Sequence, residues 1–414
     1  MNNILIISTS DTGGGAAIAA YRLMSALNSE GENVKMVVRE KLSDNPDVIP
    51  VGNRYKNRWN FYHERGVIFL HNRLSRDNLF DISMANTGTS ITEMEEYKKA
   101  DIIHLHWINQ GMLSIREIEK ILKSGKKVVW TLHDMWPFTG ICHHAAGCDH
   151  YESGCGHCPY LKAPSKDDLS RTVFRRKESA YAGGKITFVA CSNWLKELAE
   201  KSPLTRNHHL VSIPNPIDTD AYRPMDMKEI RGKLGLPLDK KIILFAAVKA
   251  ADKRKGTDYL VEAAKLMAQR SDDLLFLIAG KRGEEVKQQL SLPARSVGYL
   301  SPQQMPELYN ASDLFVTPSL QENLPNTIME AMSCGTPCLG FSIGGIPEMI
   351  DHRMNGYVAE YKNAQDLAEG LLWTLFEVDS ESFSVQARTK VLEKYAQQKV
   401  VQQYRDIYNE RTGC

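Results

Sequence analysis

QENLPNTIMEAMSCG, residues 321–335, sets two carboxylates, Glu322 and Glu330, around a predicted helix start. Pro325 suits the first helical position, where a missing N–H costs nothing, and Gly335 suits the position just past the helix end. The first turn of such a helix leaves backbone N–H groups unpaired and carries the positive end of the dipole, so an anion such as a diphosphate can dock there. Glu322 falls on the loop before that anion site. Glu330 lies roughly 7 to 8 Å along the helix from Pro325, at about 1.5 Å per residue, a span comparable to that from a diphosphate to its ribose. Taken alone, either carboxylate reads first as a solvated residue or a complement to the helix dipole rather than as a ligand contact.

The flanking chain narrows that choice. Leu314–Thr317 reads as a buried apolar strand just before the segment, and Thr336–Gly340 and Ser342–Ile350 follow it. With Glu322 and Glu330 spaced E-x7-E, EAMSCGTP at Glu330–Pro337 and GGIPE at Gly344–Glu348, the chain resembles the C-terminal domain of retaining glycosyltransferases of family 4, which have the GT-B fold. The resemblance covers nearly the whole chain and is strongest over Ile213–Tyr357. It implies an α/β architecture in which two Rossmann-like domains turn their parallel sheets toward an interdomain cleft.

Length and composition agree with that frame. A chain of 414 residues is long for one core and comfortable for two domains of about 200. Hydrophobic residues at 43% and charged residues at 24% are ordinary for a globular enzyme. The net charge of +1 argues against a nucleic-acid binder, which carries a basic excess. No run of about 18 apolar residues is present, and MNNILIIST at the N-terminus enters a strand directly, without a signal-peptide pattern. A cytoplasmic location is expected, so the eight cysteines read as thiols or metal ligands rather than disulfides.

Along the chain, Ile4–Ser8, Val34–Val38, Ile102–His106, Val128–His133 and Ile186–Ala190 read as strands separated by polar helical stretches, which implies a parallel sheet. Prolines and polar residues over Ile213–Pro224 mark a linker. A second series then follows: Lys241–Val248, Leu274–Gly280, Ser296–Gly298, Leu314–Thr317 and Pro337–Phe341. Val385–Arg411 reads as one polar, periodic helix. The expected division is residues 1–215 as an N-terminal acceptor domain, 216–390 as a C-terminal donor domain, and 391–414 as a helix that, by the resemblance, crosses back to the first domain.

Gly13, Gly14 and Gly15 form a strand-to-helix turn, but GGGAA does not match G-x-G-x-x-G, and Glu32 is an unconvincing ribose partner for a dinucleotide. In the second half, Lys249, Lys253, Arg254, Lys255 and Gly256 make a cationic loop that is either solvated or anion-binding. His133 and Asp134 should arrive at the C-terminal edge of the first sheet, the usual ligand edge. His104 and His106 read as structural. The resemblance gives catalytic roles to His133, Glu322, Lys249 and Lys255, and donor-binding roles to Gly14, Gly15, Asn323, Leu324, Asn326, Thr327 and Glu330. Lys249 stands where the family usually has arginine, keeping the charge but not the planar bidentate grip. No catalytic cofactor or metal is implied, since cations and a helix terminus stabilise the leaving diphosphate. Transfer with retention follows from the resemblance, Glu322 orienting the sugar and Glu330 holding ribose hydroxyls.

Two features lie outside that scheme. Cys142, Cys148, Cys155 and Cys158 give C-x5-C-x6-C-x2-C within the loop 142–158, readable as a structural zinc site, as free or redox thiols, or as an iron–sulfur site. Between Arg54 and Arg76, basic residues interleave with Trp59, Phe61, Tyr62, Ile68, Phe69 and Leu70. That stretch is either an amphipathic helix packed on a core or a peripheral contact with an anionic membrane or lipid-linked acceptor. The leading expectation is a hexosyltransferase that uses a nucleotide-diphosphate sugar and a saccharide or lipid-linked acceptor in bacterial surface polysaccharide assembly, as capsule and exopolysaccharide enzymes do. The alternatives are another GT-B activity, such as a nucleotide-sugar epimerase, and a non-catalytic sugar-nucleotide-binding protein.

Overall fold

Two sheets of purely parallel strands organise the chain, and their order shows why particular loops meet. The computed structural model describes residues 2–270 and 272–410. It has two compact units, the chain up to Pro214 together with the segment from Val401 on, and Asn215–Val400.

The first unit holds β1 (Asn3–Ser10), β2 (Asn33–Glu40), β3 (Val48–Pro50), β4 (Ile102–Leu105), β5 (Lys127–Leu132), β6 (Thr187–Ala190) and β7 (His209–Ser212), in the order β3-β2-β1-β4-β5-β6-β7. The second holds β8 (Lys241–Lys249), β9 (Leu274–Lys281), β10 (Ala294–Gly298), β11 (Leu314–Thr317), β12 (Cys338–Phe341) and β13 (Gly356–Ala359), in the order β10-β9-β8-β11-β12-β13. Each order is doubly wound and reverses once, between β1 and β4 and between β8 and β11. Ligands of such sheets bind beyond the carboxyl ends of the strands at that reversal. The central strands read as continuous apolar runs because helices cover both faces; β4, β6, β11 and β12 are buried at every position.

Three strands escaped the sequence reading, namely β3, β7 and β13. The first two lie at sheet edges and are half-exposed or carry a proline, so their apolar signal is short. The C-terminal tail is two helices, Ser380–Lys394 and Gln397–Asn409, rather than one; Arg411 lies outside the described residues. The first of them stays with the second unit, where Arg388 donates to the carbonyls of Tyr222 and Thr219 and Lys390 pairs with Asp351 at 2.7 Å. The return to the first unit therefore starts at Val401, later than the expected 391. There Tyr408 and Tyr404 anchor the second tail helix, the former 2.8 Å from His104 Nδ1 and the latter 2.9 Å from Thr131 Oγ1.

Candidate active site

In the second unit, β8 and β11 flank the chain reversal, so the loops leaving them run side by side. After β8 comes the cationic stretch, which closes as a 3-10 turn over Lys253–Lys255 capped by Asp252. Leu320, after β11, donates its N–H to the carbonyl of Arg254 at 2.8 Å. Lys255 then forms an ion pair with Glu322, whose side chain is mostly shielded. Two glycines make this approach possible. A Cβ on Gly256 would lie 1.7 Å from the Pro318 carbonyl oxygen, and one on Gly344 would lie 2.0 Å from that of Glu322. Both adopt left-handed backbone, φ +71° and +59°, which favours glycine. Gly345 completes the clamp by donating to the Asn323 carbonyl at 2.6 Å.

The helix begins at Asn326 and runs to Ser333, with Pro325 as its N-cap rather than its first residue. Pro325 brings no side-chain acceptor, and no side-chain cap bond is formed, so the first-turn N–H groups of Asn326 and Thr327 are not capped in that way. Asn215 donates to Asn326 Oδ1 at 3.1 Å, fixing that side chain. Asn323, Leu324 and Glu330 are buried, Glu330 at 7% exposure. Its Oε2 accepts from the Tyr309 hydroxyl at 2.9 Å. Burial first, and then the Glu330 carboxylate, push the Tyr309 hydroxyl well above its ordinary pKa, so Tyr309 is a fixed donor. Lys249 is exposed at the end of β8, next to Lys281 of β9, and the described contacts do not bring it to Glu322. Lys255, Glu322 and the helix start are thus brought together here. Tyr309 and Asn215, both far from the motif in sequence, were not legible as partners.

The first unit presents its own reversal point. The turn after β1 is stitched by Asp11, which accepts from the N–H groups of Leu42 at 2.9 Å and Ser43 at 2.8 Å. Gly14, φ +118°, is the N-cap of the helix Gly15–Ser29. Glu32, the ribose candidate of a dinucleotide reading, is instead paired with Arg405 at 2.9 Å. His133 leaves the end of β5 as expected, but its ring is already engaged: Nε2 lies 2.9 Å from His106 Nδ1, and Nδ1 lies 3.6 Å from Cys191 Sγ. Burial lowers His133 to about 4, with Asp134 pulling the other way. Burial and His133 lower His104 to about 3, and burial holds His106 well below its usual value. All three imidazoles are neutral near pH 7. His106, at 3% exposure, leaves Nε2 buried without a partner among the described residues. Asp134 accepts from Trp107 Nε1 at 2.7 Å and meets His143 Nδ1 at 2.6 Å. Burial alone would raise its carboxyl, but His143 and the Trp136 N–H bring it down to about 2.

The four loop cysteines are free. Burial pushes Cys142 up to about 11 and Cys155 and Cys158 up to about 12. Cys191, Cys334 and Cys338 are core residues, at most 4% exposed. The basic aromatic stretch forms the helix Arg54–His71. Its inner face buries Glu64, which accepts from the N–H groups of Met84 and Ala85, both at 2.8 Å, while Tyr55, Trp59 and Tyr62 are 86%, 67% and 55% exposed. No helix among the described residues is long and apolar enough to cross a membrane.

Known proteins carry the same architecture. The family described as "Glycosyltransferase Family 4" matches residues 13–221, and "Glycosyl transferases group 1" matches residues 226–388. An N-acetyl-alpha-D-glucosaminyl L-malate synthase of Bacillus anthracis is 25% identical over 80% of this chain and 79% of its own length. An Escherichia coli UDP-Gal:alpha-D-GlcNAc-diphosphoundecaprenol alpha-1,3-galactosyltransferase is 24% identical over 77% and 78%. Among solved structures, sucrose-phosphate synthase from Thermosynechococcus elongatus superimposes with a TM-score of 0.68 at 18% identity, covering 98% of both chains. HepE of Anabaena, in complex with UDP and glucose, does so at 0.65 and 16%, covering 99% of both. With two doubly wound units and both family descriptions matched in order, the chain is a GT-B glycosyltransferase and belongs to glycosyltransferase family 4.

Proposed function

We propose that this glycosyltransferase moves a hexose, with retention, from a nucleoside-diphosphate sugar to a lipid-linked saccharide during assembly of a bacterial surface polysaccharide. The observation that carries the reading is the Lys255–Glu322 pair, held at the reversal point of the second sheet beside the start of the helix Asn326–Ser333. A donor diphosphate at that helix start offers Lys255 a second anion. Lys255 then turns to the phosphate and Glu322 is released toward the sugar hydroxyls. Glu330, steadied by Tyr309, accepts from the ribose. The anomeric carbon's bond to the diphosphate breaks and its bond to the acceptor oxygen forms on the same face. The acceptor's proton passes to the leaving phosphate, whose charge Lys255 and Lys249 stabilise.

The lipid-linked acceptor is supported by the E. coli relative, whose name specifies a diphosphoundecaprenol acceptor. It is also supported by the exposed Tyr55, Trp59 and Tyr62 beside Lys56 and Arg58, a combination suited to an anionic membrane surface. Thermal shift over UDP-, GDP-, ADP- and CMP-sugars identifies the donor through its stabilisation, and NMR of the transfer product reads the anomer. Glu330→Ala should weaken donor binding about tenfold or more while the fold persists. Unaltered donor affinity in that variant, or a product of inverted configuration, would sink the assignment.

A further inference from the structure

Between β5 and the helix Leu169–Tyr181, the span 133–168 contains no α-helix or strand among its described residues, only the single 3-10 turns Trp136–Phe138 and His150–Ser153. A connection that long without regular structure is uncommon and usually functional, and Trp136, Phe138, Ile141 and Tyr151 pack it into the core of the first unit. Its four separated cysteines reach one partly open pocket: Cys142, Cys148, Cys155 and Cys158 all line a space of about 20 Å³, with His150 beside them. That is room for roughly one water-sized occupant. As the side chains stand, no three His, Cys, Asp or Glu residues among those described form a set that could hold a metal ion. The thiols line the walls without converging.

The backbone around them is unusual. Gly154, Cys155, Gly156 and His157 have consecutive left-handed φ angles of 98°, 62°, 107° and 48°, a strained run for the two residues that are not glycine. It is pinned by Cys155 N–H to the His150 carbonyl at 2.8 Å, Gly156 N–H to Ser170 Oγ at 3.0 Å and His157 N–H to the Ser165 carbonyl at 2.7 Å. Gly140 donates its N–H to Cys155 Sγ at 3.2 Å, the kind of backbone contact that steadies a thiolate ligand. Lys177 is wholly buried, at 0% exposure. Its ammonium donates to the carbonyls of Trp136 and Thr139 and lies 3.4 Å from the Trp136 ring centre. Burial holds the Lys177 amine well below its usual pKa, with Cys155, Cys142 and Asp134 pulling the other way.

We infer that Cys142, Cys148, Cys155 and Cys158 are the ligands of one structural zinc ion that braces the loop 133–168. Binding draws the four sulfurs in to about 2.3 Å and releases their protons to solvent. The resulting tetrathiolate carries a net charge of about −2. A cavity sized for one ion disfavours the larger iron–sulfur core. This site is independent of the donor chemistry, so the two readings stand or fall separately.

The 414-residue protein, purified under reducing conditions without chelator, is assayed for zinc, iron and sulfide. Stripped protein is then titrated with Co²⁺, whose thiolate charge-transfer and d–d bands report a tetrahedral sulfur site. About one zinc per chain and a saturating one-to-one cobalt spectrum support the inference, as does loss of both in Cys155→Ser/Cys158→Ser. Because that double variant is liable to misfold, the cobalt titration of the unaltered sequence is decisive. Iron with sulfide in place of zinc overturns the inference. So do disulfides among these four cysteines by peptide mapping, or folded protein that takes up neither zinc nor cobalt.

Discussion

Gly344→Ala probes the donor loop without touching a charged group. The new Cβ would sit 2.0 Å from the Glu322 carbonyl oxygen and 2.8 Å from its carbon, at φ +59°. An unstrained carbon-to-oxygen contact needs about 3.3 Å, so the loop must retreat by roughly 1.3 Å. It cannot do so freely, because Gly345 N–H holds the Asn323 carbonyl at 2.6 Å and Leu320 N–H holds that of Arg254 at 2.8 Å. The left-handed alanine alone costs about 1–2 kcal/mol, which lowers the melting temperature by roughly 2–8 °C for a unit of this size. Displacing Glu322 by roughly 1 Å should cut kcat/KM about 100-fold. Circular dichroism melts, donor titration calorimetry and a coupled transfer assay read the three quantities. Gly232→Ala, in a helix interior with open space at its Cβ, is the control and should stabilise by about 0.5–1 kcal/mol. A folded Gly344→Ala protein with unchanged melting, donor affinity and turnover would refute the reasoning.

Lys255→Met removes the partner of Glu322; we expect donor affinity to fall about tenfold with little change in melting, since a partly exposed pair contributes about 0–1 kcal/mol. Tyr408→Phe leaves His104 Nδ1 without its hydroxyl partner in a buried setting and should cost about 1–3 kcal/mol in chemical denaturation; no measurable loss would mean that this hydrogen bond does not help hold the tail helix. Acid should weaken the first unit through its histidines. His104, His106 and His133 have folded pKa values below the ordinary 6.5, so the unfolded chain binds more protons between about pH 4 and 6.5. Their contribution is complete above pH 6.5 and lost as pH falls toward 4, with His133 alone accounting for at most on the order of 3 kcal/mol. Denaturant midpoints that stay flat from pH 7 to 5 would count against buried neutral imidazoles, and His133→Asn should flatten the slope in part.

Several parts of this architecture were legible locally. β1, β5, β8 and β11 announce themselves because a parallel strand covered on both faces is a continuous apolar run. Gly335 marked the end of its helix correctly, with φ +80° just past the C-cap Cys334. Pro325 was misplaced by one position, since proline's fixed φ suits both the N-cap and the first turn. The role read for His133 needed only its place at a strand end. That both its ring nitrogens face His106 and Cys191 depends on β4, β5 and β6 lying side by side. To meet a sugar hydroxyl, His133 must give up one of these partners. The break at Tyr395–Ala396 was invisible to periodicity; Ile217 N–H bonds to the Tyr395 carbonyl and Gln397 N–H to that of Ile217, a tertiary contact that interrupts an otherwise helical stretch.

The sequence by itself determined two wound halves, the helix bounded by Pro325 and Gly335, the glutamates around its start and the four cysteines in one loop. Those properties rest on local periodicity, capping and spacing, which the chain carries wherever it is placed. Only the tertiary structure decided that Lys255 meets Glu322 across a separation of 67 residues, that Tyr309 fixes Glu330, and that the cysteines line one cavity with a buried lysine close by. Each depends on which strands are neighbours. Strand order is set by the balance of burial over the whole sheet, and no single segment encodes it.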